Sequence, residues 1–279
     1  MDRPPEFSQI VFSGGGTRCF WQGGFLDVVR DPLALDPVRV SSVSGGVLSA
    51  VGFISHSGER IRDIMMRHFA EQDTNVTWHD AVTDDGVSPH QRVYRSVVDE
   101  ALSAEVVAAV RDGPEFHALL AHPPRDSDHP LVASLMALAY EAELHLVNAP
   151  HFDWAEALGL GARLVDARGA ARAGRLNELV CAAAVIPPVF EIAEWDGRPV
   201  IDGGMADQAP LPPGDEGPTL VVLTRDYERV PDHPDRLYVA PSRETPADKI
   251  DFTDPEKVAA TWECGARDGR KFLERMNMN

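Results

Sequence analysis

The sequence predicts an α/β protein with a mainly parallel central sheet covered by helices. Its opening alternates strand, glycine turn and helix twice over, an order that favours a parallel sheet with helical cover. Strand patterns return in the second half of the chain, beyond a long helical stretch. With 279 residues, 44% of them hydrophobic, one large domain with an ample core is expected.

The stretch "FSQIVFSG" (7–14) reads as a short buried strand, and "FWQGGFLDVVRD" (20–31) as the helix that follows. A second pair follows as the strand "VRVSSVS" (38–44) and the helix "GVLSAVGFIS" (46–55). From 59 to 145 the pattern is mainly helical, a segment read as an insert or lid, with one strand candidate at "EFHALLAH" (115–122) and a Pro/Asp/His-rich loop at 123–130. Within it "ERIRDIMMRHFAEQ" (59–72) gathers Ile61, Ile64, Met65, Met66 and Phe69 on one face and is expected to cover the domain. "LVASLMALAYEAEL" (131–144) is apolar around most of its circumference, which favours a core helix over a lipid-facing one.

The sheet is expected to resume at "ARLVDA" (162–167), followed by a helix at "RLNELVCAAA" (175–184). Further strands are read at "VFEIAEW" (189–195), "RPVIDGG" (198–204) and "TLVVLTR" (219–225). The tail "DPEKVAATWECGARDGRKFLERM" (254–276) has the start of a terminal helix, with Asp254 as cap and Pro255 in the first turn. No repeat, low-complexity tract or long linker divides the chain, so residues 1–279 are read as a single domain.

A net charge of −18 and a pI near 4.9 would repel a phosphate backbone, and Lys and Arg form no basic block, so nucleic acid is not an expected partner. The same charge opposes attraction to anionic membranes and leaves room only for a transient, peripheral contact of apolar character. No stretch has the length of a transmembrane segment and the N-terminus lacks a signal-peptide pattern, so a cytoplasmic protein is expected. Cys19, Cys181 and Cys264 are odd in number and widely spaced, which suits reduced structural thiols rather than a disulfide framework or a metal site.

Three stretches carry chemistry. In "SVSGGV" (42–47), Ser44 falls between an apolar strand and a helix that begins at once, the setting of a nucleophile elbow. Such a turn demands small residues on either side; Gly45 and Gly46 supply them after the serine, and Ser42 stands where the usual pattern has glycine. A serine hydroxyl is a poor nucleophile until a base takes its proton. Asp202, in "VIDGGMADQAP", closes a short strand and is followed by Gly203 and Gly204, which let the backbone turn and leave the carboxylate facing a cleft. The third stretch is "SGGGTRC" (13–19): Gly14, Gly15 and Gly16 would present amides to a developing negative charge, with Arg18 in the first helical turn. A phosphate cradle is the competing reading. It fails on residue identity, because a P-loop needs Gly-Lys-Ser/Thr where Thr17-Arg18-Cys19 stands, and a dinucleotide fingerprint needs Gly or Ala at Cys19.

Together, Gly14-Gly15-Gly16-Thr17-Arg18, Ser42-Val43-Ser44-Gly45-Gly46 and Asp202-Gly203-Gly204 resemble the oxyanion loop, elbow and aspartate motif of the patatin-like phospholipase family. The likeness extends to "AAAVIPPVFEIAEWDGRPVIDGGMADQAPLPP" (182–213) and to the last helix, and is weakest from 59 to 145. Ser42, Cys19 and Gln208 depart from the family's pattern of glycine, glycine and asparagine. The resemblance implies a three-layer α/β/α patatin-like fold and a Ser44–Asp202 dyad without histidine or cofactor. It also implies a lipid ester substrate: a phospholipid, a lysophospholipid or another acyl ester. Acyl transfer on the same dyad and a non-catalytic lipid-binding role are the alternatives. A Ser-His-Asp triad would need His233, but "VPDHPD" reads as an exposed turn.

Overall fold

The computed structural model describes residues 6–71, 89–123, 149–151, 159–186, 190–214, 217–249 and 251–277. Strand β1 (Gln9–Phe12) lies at the centre of the sheet, with β2 (Arg39–Val43) parallel on one side and β7 (Thr219–Val222) parallel on the other. Each of its side chains is buried: Ile10 and Phe12 belong to the main core and Val11 to a smaller cluster with Val221, Leu223 and Tyr227. That two-sided burial accounts for the unbroken apolar run in the sequence. Beyond β7 the sheet ends in β8 (Arg236–Val239), again parallel. The sequence reading did not anticipate β8, a half-exposed edge of four residues between Asp235 and Ala240 whose apolar content is too small to give a period.

On the other side, β3 (Glu115–His122) pairs in parallel with β2 along Glu115–Leu119. The strand candidate inside the helical stretch is therefore a central member of the sheet. Its far edge carries β4 (Gly161–Asp166), antiparallel. Past Leu119 the edge vacated by β2 is taken by β6 (Arg198–Asp202), antiparallel, with Leu120 opposite Asp202 and Ala121 opposite Ile201. The short strand β5 (Ala193–Trp195) pairs with β6 as a hairpin. The C-terminal ends of β2 and β6 thus meet head-on along one edge of β3.

Helix α1 (Phe20–Val29) packs along the terminal helix α8 (Pro255–Asn277). The indole N–H of Trp21 crosses to Asp268 at 2.9 Å. Asp254 caps α8 as expected, its carboxylate accepting the amides of Glu256 and Lys257 at 3.0 and 3.1 Å. Helices α2 (Gly46–Ile54) and α3 (Gly58–Ala70) follow the elbow, and α3 buries Ile61, Ile64, Met65 and Phe69 as its spacing requires. Helices α4 (Pro89–Ala101) and α5 (Ala104–Asp112) lead into β3. An exposed clamp joins α3 to α4: Glu100 accepts both Arg67 guanidinium nitrogens, at 3.0 and 2.9 Å, and bonds His68 at 3.0 Å. Helices α6 (Ala167–Arg172) and α7 (Leu176–Ala183) connect β4 to the hairpin; α6 was not foreseen, its Ala/Arg/Gly composition giving no apolar stripe.

The result is a mixed α/β fold with a mainly parallel central sheet and flanking helices. Among the described residues, no helix is long and apolar enough to cross a membrane. The stretch 131–144, expected to be a core helix, lies outside the described residues, so the lid expectation for 59–145 bears only on the helices named above.

Candidate active site

Ser44 occupies the turn between β2 and α2 with a φ of +55°, a left-handed conformation unusual for a residue with a side chain. The turn is tight because α2 starts against the end of β1: a Cβ on Gly46 would lie 2.5 Å from the Ser13 carbonyl and 2.8 Å from that of Phe12. This is why a glycine follows two residues after the serine. Ser42, two residues before it, is wholly buried in β2 opposite Phe12 and Ala118, so its extra atoms are absorbed by the sheet and its hydroxyl has no partner among the described residues.

Asp202 ends β6 at the point where β2 leaves the edge of β3. Val43 lies opposite Leu119 and Asp202 opposite Leu120, so the residue after Val43 and the last residue of β6 are brought side by side. The Ser44 hydroxyl donates to Asp202 Oδ2 at 2.5 Å. That length is typical of a hydrogen bond from a hydroxyl to a carboxylate. The other carboxylate oxygen accepts the Gly204 amide at 2.7 Å, from the short 3-10 turn Gly203–Met205, and so fixes the ring-like DGG loop and the orientation of the carboxyl group. Both residues are 3% exposed.

The three-glycine loop lies directly against this pair. A Cβ on Gly14 would come 3.2 Å from Ser44 Cβ, and one on Gly45 would come 2.7 Å from the Gly16 carbonyl. Gly14 is held on both sides, its amide donating to the Gln208 carbonyl at 2.9 Å and its carbonyl accepting the Thr224 hydroxyl at 2.5 Å. Gln22 reaches back from α1 to the carbonyls of Ser13 and Val222 at 3.0 and 2.8 Å. The Thr17 amide donates to the Lys249 carbonyl at 3.2 Å, the Thr17 hydroxyl to the Asp248 carbonyl, and the Arg18 amide to the Gly15 carbonyl at 3.1 Å. Gly16 has a φ of +56° and meets the Lys249 carbonyl where a Cβ would be, so no other residue fits. Among the described residues the amides of Gly15 and Gly16 have no backbone acceptor, whereas that of Gly14 is spent on Gln208.

Arg18 lies in the 3-10 turn Gly16–Cys19 that precedes α1, rather than in the first turn of α1, and is half-buried. Cys19 beside it is fully buried; burial pushes its thiol far up, the negative Asp202 carboxylate adds to this, and the charges of Lys249 and Arg18 pull partly against it. His233 sits in a half-exposed turn where its Nδ1 accepts the Asp235 amide at 3.3 Å, and it does not line the Ser44 cavity.

Ser44 opens into a cavity of about 260 Å³ between α1, α2, α3 and α4. Its inner wall includes Phe20, Leu48, Met65, Phe190 and Phe252, and its outer end reaches the exposed Asp27, His56 and Glu59. Trp21 is wholly buried in the core, whereas Phe20, buried beside it, lines the cavity. The sequence reading brought together Ser44, Asp202 and the glycines. It missed Gln22, Thr224 and Lys249, and took Gln208 only as a departure from a family pattern. Gln22 alone carried a signal, as a lone amide inside an otherwise apolar helix start.

A serine at a strained strand–helix turn is thus bonded directly to a buried carboxylate on an α/β sheet, beside glycine amides that have no backbone acceptor among the described residues. The chain belongs to the patatin-like phospholipase family, whose model matches residues 10–214. Among solved structures it is similar to VipD from Legionella pneumophila, at 12% sequence identity and a TM-score of 0.45, with 97% of this chain and 67% of that chain covered. A search of the curated proteins returned no significant match.

Proposed function

We propose that the protein is a cofactor-independent serine acyl-ester hydrolase that acts on a lipid ester through Ser44 and Asp202. The observation that carries this reading is the 2.5 Å hydrogen bond from Ser44 Oγ to Asp202 Oδ2, with no imidazole between them. As Oγ attacks the ester carbonyl, Asp202 takes its proton. The negative charge that develops on the carbonyl oxygen is met by the Gly15 and Gly16 amides, a contribution typically worth about 3 kcal/mol per donor. Collapse of the tetrahedral intermediate breaks the carbonyl–alkoxy bond, and the leaving alkoxide takes the proton from Asp202. A water then gives a proton to Asp202 while its oxygen attacks the acyl-enzyme, and the second collapse returns that proton to Ser44 and frees the acid.

Burial of Asp202 keeps bulk water away from the carboxylate that takes the proton. Family membership supports a lipid acyl ester as substrate. The cavity of about 260 Å³ is just below the ~300–1,000 Å³ of common small-molecule sites, which suits one acyl chain rather than a pair.

The test is labelling with a fluorophosphonate probe followed by peptide mapping. An adduct on Ser44 that disappears in Ser44→Ala is the expected result. A folded protein that stays unlabelled in the presence and absence of lipid vesicles would overturn the reading.

A further inference from the structure

The family model ends at residue 214, yet the three-glycine loop is seated on a part of the chain that lies beyond it. Thr17 follows Gly16 directly, is 3% exposed and is pinned twice: its amide donates to the Lys249 carbonyl at 3.2 Å and its hydroxyl to the Asp248 carbonyl. The Lys249 carbonyl also fills the space that a side chain on Gly16 would need. Two consecutive carbonyls of the tail therefore fix the Gly16–Thr17 peptide, and with it the direction in which the Gly15 and Gly16 amides point. Glycines alone hold no such direction, because their backbone is the least restricted of any residue.

The segment 240–249 forms no helix or strand, so its place depends on what it is tied to. Three ties come from α8. Asp268 accepts the Ser242 amide at 3.1 Å and its hydroxyl at 2.6 Å, the hydroxyl oxygen of Thr261 accepts the Ala247 amide at 2.8 Å, and Lys257 pairs with Asp248 at 2.9 Å. Lys257, Thr261 and Asp268 follow at intervals of four and seven residues and so share one face of the helix. The Lys257 pair lies at the surface, where such pairs contribute little, whereas Thr261 is wholly buried and holds the residue next to Asp248. We infer that Thr17 and Thr261 are positioning residues for the oxyanion loop: Thr261 holds the tail segment against α8, and Thr17 passes its position on to the Gly15 and Gly16 amides. This rests on the reading of Ser44 as an acyl-ester nucleophile. Both hydroxyls are engaged with backbone groups, so they act through the loop and not on the substrate. A donor turned away from the developing oxyanion loses transition-state stabilisation while ground-state binding stays as it was.

The experiment measures kcat and KM for a p-nitrophenyl acyl ester, and inhibition by a trifluoromethyl ketone of the same acyl chain, whose adduct with a serine places an oxyanion in the hole. Active sites are counted by fluorophosphonate labelling carried to completion. In Thr17→Val, which keeps the side-chain shape, kcat per labelled site should fall about tenfold, a part of the ~10²–10³ lost when an oxyanion donor is removed outright. The ketone inhibition constant should rise by about the same factor, with KM within about threefold, and Thr17→Ser should recover both. Thr261→Val should shift the same two quantities, and the double variant should fall no further than Thr17→Val, since both act through one segment. A folded Thr17→Val with wild-type kcat and ketone inhibition, or one that loses thermal stability alone, overturns the inference. Should Thr17→Val fail to fold, wild-type values in Thr261→Val overturn it as well. A wild type that neither hydrolyses the ester nor labels at Ser44 removes the nucleophile reading and this inference with it, a result distinct from an active wild type with indifferent variants.

Discussion

Replacing Asp202 with asparagine isolates the proton acceptor from the rest of the site. The side chain keeps its shape, and the Gly204 amide, 2.7 Å from Oδ1, demands an oxygen on that side. The new NH2 group must then face Ser44, where Oδ2 now lies 2.5 Å from the hydroxyl. An amide nitrogen there donates and cannot take the serine proton. General-base assistance is typically worth 10²- to 10⁴-fold, so kcat for a soluble p-nitrophenyl ester should fall by about 10³, roughly 4 kcal/mol of transition-state stabilisation. KM should stay within about threefold, because an interaction made only as the proton moves is absent from the ground-state complex. Steady-state kinetics, with circular dichroism as the check on folding, reads both. A folded Asp202→Asn protein with kcat within about fivefold of the wild type would refute the assignment of Asp202 as base.

Gly16→Ala places a side chain at a left-handed φ and against the Lys249 carbonyl; a loss of at least ~2 kcal/mol, or a Tm lower by about 4–8 °C, is expected together with loss of turnover. Wild-type Tm and turnover in that variant would refute the account of the loop. His233→Ala should hydrolyse esters within about twofold of the wild type, since among the described residues its imidazole does no more than accept the Asp235 amide in a turn; loss of turnover with the fold intact would revive a histidine-dependent triad. Burial and the nearby Asp99 push the Cys181 thiol up to about 12, and Cys19 is held higher still, so both stay protonated well above neutrality. Iodoacetamide at pH 8 should therefore leave them unmodified until the protein is denatured, as mass spectrometry of the digest would show; alkylation of the native protein would contradict the burial of Cys19 and the raised thiol of the half-buried Cys181.

Much of this architecture was legible because its signals are local. Ser44, Gly45 and Gly46 announce a turn between an apolar strand and a helix, and the Asp202-Gly203-Gly204 run announces a strand end. The order and type of most elements followed from the same alternation. What stayed hidden depends on partners distant in the chain. Thr224 binds Gly14 across more than two hundred residues, and nothing around a threonine after a short strand signals that contact. The central place of β3 was equally illegible, because a strand's position in a sheet is fixed by its neighbours and not by its own pattern. Tyr94 sits in a helix whose apolar stripe looks like ordinary core, and only the folded arrangement places it on the wall of the cavity beside Ser44.

The meeting of β2 and β6 on one edge of β3 makes that strand a ruler for the reactive pair. Ser44 and Asp202 are 158 residues apart in the chain, yet their separation is set by a single peptide step, from Leu119 to Leu120. Everything threaded between them, from α2 to the β5 hairpin, can lengthen, shorten or change its lining without altering that step, provided β3 keeps its register. The side chains that the flanking helices turn toward the cavity can therefore differ without moving Ser44 away from Asp202.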